Sequence, residues 1–242
     1  MSTDCQHCPL RKMDLFFEMS ADEVSFMTRF KTGEFDAQPG TEIMAQGQSS
    51  THLFTCLEGM GVRYRTLQDG RRQVIGFVLP GDFIGLQAGV MDEMDHSVEA
   101  STSMRLCTFN RSDLWTLFSS HPNRAYDLTR IAATEEVFLG EALAIVGQLD
   151  ARAKVAWALH RFFTRLSAVA LARGNAVPLP YRQQDLADAL GLSLVHTNKT
   201  LARLREERIA TWSENNLTVH DVVRLAALAH AETSTPRGRP LI

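Results

Sequence analysis

The sequence predicts an α+β fold made of an N-terminal antiparallel β-roll, a long helix and a C-terminal winged helix–turn–helix. Three observations favour this fold. Short β-branched and aromatic runs alternate with glycine turns over residues 31–120. An apolar stripe of helical period covers residues 121–150. Two short helical patterns separated by Gly191 then lie within residues 151–232.

The N-terminal arm, residues 1–30, carries Cys5 and Cys8 in a C-x2-C pair. Ser20 followed by Glu23 is a capping-box pattern and predicts a helix that runs to about Phe30. Zinc and iron–sulfur sites usually take four ligands, so this pair would need partners from elsewhere in the chain. The four cysteines lack the spacing of a secreted disulfide framework, which indicates a reducing, cytoplasmic location.

Residues 31–120 contain regularly spaced turn signals. They separate runs such as HLFTCL, VRYRTL, RRQVIGFVL and MRLCTF, and they occur at Pro39-Gly40, Gln46-Gly47, Glu58-Gly59, Asp69-Gly70 and Pro80-Gly81-Asp82. Short strands at this spacing are typical of a jelly roll. Such a roll can enclose a ligand cavity or hold only a packed core, and the sequence leaves both open.

The stripe over residues 121–150 is wide enough to face two neighbours. Its members are Leu128, Ile131, Phe138, Leu139, Ala142, Leu143, Ile145, Val146 and Leu149, with Glu135 interrupting. One neighbour is the β-roll. The other is the same helix of a second subunit, so the pattern predicts a homodimer.

A further helix is expected over Ala151–Ala172, followed by a connector through Gly174-Asn175 and Pro178-Leu179-Pro180. Two helices come next, Gln183–Leu190 and Leu194–Glu206. The turn between them is predicted from Gly191, and Ser193 is the expected N-cap. The second helix should bury Thr197, Leu201 and Leu204.

Five side chains of the second helix should face outward, and they are candidates for DNA contact because this motif lays its second helix in the major groove. The candidate DNA-binding residues are Gln183, Ser193, Val195, His196, Asn198, Lys199 and Arg203. A solvated helix face is the alternative for His196 and Asn198. In residues 208–219, apolar and polar side chains alternate on either side of Asn215-Asn216. This pattern predicts a β-hairpin, the wing of the domain.

The charge distribution agrees with a polyanion partner for the C-terminal part. Residues 151–242 hold 13 Lys/Arg against 7 Asp/Glu, whereas residues 1–150 hold 12 against 21. No run of 18 apolar residues occurs, and Met1–Arg11 is too polar for a signal peptide. Residues 233–242 are expected to be a disordered tail.

These elements together resemble the Crp–Fnr family of bacterial transcription regulators, with a cyclic-nucleotide-binding-like roll. The most specific residues are PGDFIG at 80–85 and DLAxxLGLS at 185–193. The resemblance implies a homodimer that binds a two-fold related site on double-stranded DNA, with half-sites about 34 Å apart. It also implies action on RNA polymerase, without indicating activation or repression.

Cyclic-nucleotide members of that family place a Glu after the Gly85 position and an Arg before Ser97. This chain has Leu86 and His96 there. Leu86 cannot pair a ribose hydroxyl, and a neutral His96 cannot replace a guanidinium. Gly85, Leu86, His96 and Ser97 therefore remain an effector-pocket candidate, while cAMP is not the expected ligand. The loop could equally bind another ligand or close the roll.

The oxygen-sensing branch of the family holds a [4Fe–4S] cluster with C-x2-C-x5-C and a distant cysteine. The matching positions are Cys5, Cys8, Asp14 and Cys107, which makes these four the candidate metal ligands. Asp14 would supply a harder ligand than a thiolate. Cys56, which lies in a predicted strand, is the alternative fourth ligand. An iron–sulfur cluster, zinc or thiol redox chemistry, and no metal all remain open.

Within the second helix, the resemblance puts Val195 at an acidic position and Lys199 at an Arg position. Val195 has no acceptor for cytosine, and Lys199 lacks the bidentate geometry of Arg. We therefore expect a half-site different from the common ones of the family.

Two other functions remain as alternatives. A cupin-type enzyme needs clustered His and carboxylate ligands, and the roll offers only His52 and His96 without an H-x-H pair, which argues against catalysis. A constitutive DNA-binding protein with a ligand-free roll would need no effector site.

Overall fold

The computed structural model describes residues 3–231 and 237–242. It divides into two compact units, Met1–Glu135 with Gly238–Ile242, and Glu136–Arg237. The division falls inside the predicted long helix rather than at either of its ends. Among the helices of the described residues, none is long and apolar enough to cross a lipid bilayer.

The first unit begins with two short 3-10 turns, Cys5–His7 and Leu10–Lys12, followed by helix α1, Ala21–Phe30. The predicted capping box starts α1. The backbone N–H of Glu23 donates to Ser20 Oγ at 3.2 Å, and that of Ser20 donates to Glu23 Oε2 at 2.8 Å. This reciprocal pair satisfies two N–H groups that a helix start otherwise leaves without a partner.

Eight strands form the predicted β-roll. They are β1 (Lys31–Ala37), β2 (Glu42–Met44), β3 (His52–Glu58), β4 (Gly61–Thr66), β5 (Arg72–Val78), β6 (Phe83–Ile84), β7 (Ser97–Ala100) and β8 (Met104–Asn110). Two antiparallel sheets result, with strand orders β1-β8-β3-β6 and β2-β7-β4-β5. The roll is filled by its own apolar side chains, among them Met44, Ile84, Val98 and Leu106, each at most 5% exposed.

Three helices complete the first unit or lead out of it. They are α2 (Leu86–Met91), α3 (Leu114–Ser120) and α4 (Pro122–Gln148). The predicted long helix is thus confirmed as α4. Its apolar stripe changes environment along its length, because Leu128 and Ile131 are buried whereas Leu139 is 51% and Leu143 75% exposed.

The second unit contains the expected helices and hairpin together with additional elements. Its elements after α4 are α5 (Ala151–Ala168), β9 (Ala176–Pro178), α6 (Gln183–Leu190), α7 (Leu194–Glu206), β10 (Ala210–Ser213), β11 (Asn216–Val219) and α8 (Val222–Leu228). The second half of α4 packs on α5, where Trp157 Nε1 donates to Glu141 Oε1 at 2.7 Å. The rings of Phe138 and Trp157 stack beside this hydrogen bond.

Three expectations for the second unit were wrong in detail. Helix α5 ends at Ala168, before the predicted Ala172, because the chain turns through Ala170 at a positive φ of 56°. The supposed connector contributes β9, which pairs with β11 and gives a three-stranded β10-β11-β9 sheet. The wing turn lies at Glu214-Asn215, one residue earlier than predicted, because Ser213 pairs with Asn216.

The expectation of a disordered tail was wrong for residues 237–242; residues 233–236 lie outside the described part of the chain. Arg239 forms a short parallel bridge with Phe16, and Leu241 and Ile242 are 4% and 5% exposed. The apolar Pro-Leu-Ile run explains this packing, because burying it removes aliphatic surface from water.

Candidate DNA interface and sensor pockets

The turn between α6 and α7 is held by backbone and side-chain hydrogen bonds. Gly191 has a φ of 63°, which an L side chain rarely adopts, and its N–H donates to the carbonyl of Ala187. Ser193 caps α7 as predicted, since its Oγ accepts from the His196 N–H at 3.2 Å. Ala187 is fully buried, and its small side chain lets the two helices approach each other closely.

Helix α7 buries one face and exposes the other. Thr197, Leu201 and Leu204 are buried, as predicted. Beside Leu194, Arg205 and Glu206, the exposed residues of α7 are the five predicted for DNA contact, Val195, His196, Asn198, Lys199 and Arg203. These five residues are called the α7 face below. Its amide, ammonium and guanidinium groups are the donors that bind base edges and phosphates, and Val195 supplies methyl groups.

The other two candidate DNA-binding residues are placed differently. Gln183 is only partly exposed at the first position of α6. Ser193 is exposed, but its hydroxyl oxygen already accepts the capping hydrogen bond. Both precede the exposed face in sequence, and their contact with DNA stays a prediction.

One residue that supports α7 was not found from the sequence. Glu207 follows the helix, and its Oε2 accepts from Arg152 of α5 at 2.5 Å and from Arg224 of α8 at 3.3 Å. A single carboxylate thus ties the C-terminal end of α7 to two helices. No local pattern could have indicated this link, because Arg152 lies 55 residues earlier in the chain.

Three of the four effector-pocket candidates, Gly85, Leu86 and Ser97, lie where the roll is tightly packed. A side chain at Gly85 would begin 2.6 Å from Met44 Cε, and Leu86 packs against the apolar core. Ser97 Oγ accepts the backbone N–H of Gln46 at 3.0 Å. The 140 Å³ surface pocket beside β2 has none of the four candidates in its lining.

His96 is largely enclosed beside four charged side chains. Burial lowers its pKa to about 4, and Arg63 adds to this effect, while Glu135 and Asp95 oppose it and Arg65 contributes a weaker lowering. His96 is therefore neutral at pH 7 and cannot supply the fixed positive charge that a cyclic phosphate needs.

Three thiols converge as the sequence predicted. Cys5, Cys8 and Cys107 line one small pocket of about 40 Å³, together with Lys31. Burial raises the pKa of Cys107 to about 11 and also raises that of Cys5, while the Lys31 ammonium opposes both shifts. The thiols of Cys5 and Cys107 are therefore protonated at neutral pH.

The predicted metal site at Cys5, Cys8, Asp14 and Cys107 is not formed. Asp14 is exposed and does not line the thiol pocket. Cys56 is fully buried in a separate apolar cluster, the one that fills the roll around Met44 and Leu106. Within residues 3–231 and 237–242, no group of three or more His, Cys, Asp or Glu side chains is arranged to hold a metal ion. The pocket has room for a few water molecules, so this arrangement does not fit an iron–sulfur cluster.

A β-roll joined by a long helix to a winged helix–turn–helix with an exposed polar α7 face defines a DNA-binding transcription regulator. Residues 34–121 match the cyclic nucleotide-binding domain, and residues 153–228 match the Crp-like helix-turn-helix domain. The chain belongs to the Crp–Fnr family of transcription regulators.

Similar proteins extend over most of the chain. The nitrogen fixation regulation protein FixK of Rhizobium meliloti (strain 1021) is 31% identical over 174 residues, 71% of this chain and 75% of that protein. The transcriptional activator protein FnrL of Cereibacter sphaeroides is 25% identical over 241 residues, 98% of this chain and 95% of that protein. The structure of FixK2 from Bradyrhizobium japonicum is 25% identical, has a TM-score of 0.72, and covers 84% of this chain and 98% of its own.

Proposed function

We propose that this regulator acts as a homodimer, binds a two-fold related site on duplex DNA through the α7 face, and acts on RNA polymerase rather than catalysing a reaction. The observation that carries the proposal is the exposed α7 face on a helix fixed at both ends. The exposed apolar side chains Leu139 and Leu143 support the dimer, because apolar patches on a monomer mark interaction surfaces.

The signal that we propose is the chemical state of Cys5, Cys8 and Cys107. Support comes from their convergence on one pocket and from the packed interior of the roll around Gly85, which leaves little room for a nucleotide. A signal at the thiols would act by favouring one of two packings of the first unit.

The proposal is tested by selecting sites from random duplex DNA with the full-length protein. We expect a palindromic consensus whose half-sites differ from the common site of cAMP regulators, since Val195 and Lys199 replace an acidic residue and an Arg. Recovery of a single, non-repeated half-site, or of no sequence at all in dilute salt, would contradict it.

A constitutive DNA-binding protein is the second candidate, favoured by the same packed roll. The two candidates differ in one measurement. Operator affinity that changes after a thiol-specific reagent modifies the protein supports a thiol signal, whereas an unchanged affinity with fully modified Cys107 supports constitutive binding.

A further inference from the structure

We propose that the segment Arg239–Ile242 is a peptide ligand of the first unit, which forms one side of the thiol pocket and restricts access to Cys5, Cys8 and Cys107. The segment is called the C-terminal latch below. The groove that holds it is a binding site for a peptide with the pattern Arg-Pro-aliphatic-aliphatic. The role of the thiols as a signal site rests on the proposed function, but the latch and its test do not depend on DNA binding.

Backbone hydrogen bonds fix the register of the latch. The N–H of Arg239 donates to the Leu15 carbonyl at 2.8 Å, and the Arg239 carbonyl accepts from the Phe17 N–H at 3.0 Å. These two bonds place Arg239 beside Phe16 in a parallel bridge. A one-residue slip would break both, so the groove selects one alignment of the peptide.

The Arg239 side chain fits a prepared polar site. Its Nη1 lies 2.8 Å from Oδ1 of Asp82, and its Nη2 donates to the Gly81 carbonyl at 3.0 Å. Asp82 is 2% exposed, and its Oδ2 accepts from the Leu79 N–H at 2.9 Å. A buried carboxylate favours a nearby positive charge, so the groove is specific for a cationic side chain at this position.

The aliphatic end of the latch enters the apolar core. Ile242 belongs to the same cluster as Met27, Phe30 and Phe109, with Cys5 and Cys107 packed against that cluster. The Ile242 carbonyl oxygen accepts from the hydroxyl of the buried Thr55 at 2.5 Å. A buried guanidinium, that of Arg124, donates to the Leu241 carbonyl at 3.4 Å. The carbonyl groups of Leu241 and Ile242 thus each accept a hydrogen bond from a buried side chain of the first unit.

The latch and the thiols share one pocket. Leu241 and Ile242 line it alongside Cys5, Cys8 and Cys107, and the remaining space is about 40 Å³. The three thiols are partly exposed, and Leu241 and Ile242 fill one side of their pocket, so movement of these two side chains would widen the access of a thiol reagent to Cys107.

The test measures the rate at which N-ethylmaleimide labels each cysteine of the full-length protein, with mass spectrometry of the labelled peptides. The variants are Arg239→Ala and the double substitution Leu241→Ala with Ile242→Ala. Both should label at Cys107 about tenfold faster or more, because loss of charge-assisted or apolar contacts raises the open fraction by that order. Arg237→Ala is the matched control, since Arg237 is exposed and outside the latch.

Cys56 serves as an internal reference, because it is fully buried in the separate cluster inside the roll. Faster labelling of Cys107 with an unchanged Cys56 supports the latch. An unchanged Cys107 overturns it, and so does an equal acceleration of Cys107 and Cys56, which would mean general unfolding.

A synthetic peptide of sequence RGRPLI provides a second measurement. Added in excess to the double variant, it should restore slow labelling of Cys107, and the same peptide with Glu in place of the second Arg should not. Equal protection by both peptides would show that Asp82 does not select the ligand, and would overturn the assigned binding site.

Discussion

The guanidinium of Arg63 on β4 lies 3.3 Å from the carboxylate of Glu135 on α4. The same guanidinium donates from Nη2 to the Phe83 carbonyl of β6 at 2.9 Å. One side chain therefore connects both sheets of the roll with the long helix. It also explains why Glu135 interrupts the apolar stripe, since this position faces a cation rather than the core.

Replacing Glu135 with Gln should weaken the first unit slightly. Glu135 is partly exposed, so loss of the ion pair should lower the free energy of unfolding by no more than about 1 kcal/mol. Arg63→Ala should cost more, about 2–3 kcal/mol, because it also removes the donor to Phe83. Urea unfolding measures both, with Glu136→Gln, an exposed neighbour, as the control. A larger loss for Glu135→Gln than for Arg63→Ala would contradict this order.

The stability of the first unit should depend on pH through His96. Its folded pKa of about 4 lies below the ordinary value of 6.5, so the unfolded chain binds the additional proton between these values. The contribution is fully present above pH 6.5 and is lost as the pH falls towards 4, amounting to at most about 3 kcal/mol. Urea unfolding between pH 4.5 and 7.5 should show this slope, and His96→Gln should reduce it. An identical slope in the variant would rule out His96 as the cause.

Local signals in the sequence were sufficient for the helix–turn–helix. The bounds of α6 and α7 agree with the prediction because Gly191 ends one helix and Ser193 caps the next within a few residues. The α7 face followed from the helical period alone. These features depend on neighbours in sequence, so no long-range contact was needed to find them.

The thiol pocket and the latch depend on distant contacts. Thr55 and Ile242 are 187 residues apart, and composition near the C-terminal end favoured a disordered tail. Three of the four predicted metal ligands do converge, but the spacing rule that included Asp14 could not foresee that this residue would lie exposed at the surface. The packed roll likewise depends on how Met44 and Leu53 meet Gly85, which a pattern of turns does not specify.

Leu143→Asp should weaken dimerisation. Leu143 is 75% exposed in the monomer, and a charge at this position would remain desolvated in a helix–helix interface. Analytical ultracentrifugation over a concentration series should show a shift of the dimer dissociation constant by about a hundredfold or more. Ala144→Asp, an exposed neighbour outside the apolar stripe, places the same charge on another face and should leave the dimer intact. Equal dissociation of both variants would show only a general effect of charge on α4.

Lys199→Ala distinguishes base contact from phosphate contact on the α7 face. Lys199 is exposed at the centre of that face, one turn after Val195 and one turn before Arg203. If it donates to a guanine, the variant should lose about 1–3 kcal/mol on the selected site and tolerate other bases at one position of each half-site. If it contacts a phosphate, binding to all duplexes should weaken alike, and the slope of log K against log salt should fall by about one per contact.

Fluorescence anisotropy at several salt concentrations separates these results, and Lys12→Ala, which removes the same charge from the first unit, is the control. Unchanged affinity, specificity and salt slope in Lys199→Ala would mean that the α7 face does not contact DNA at this residue.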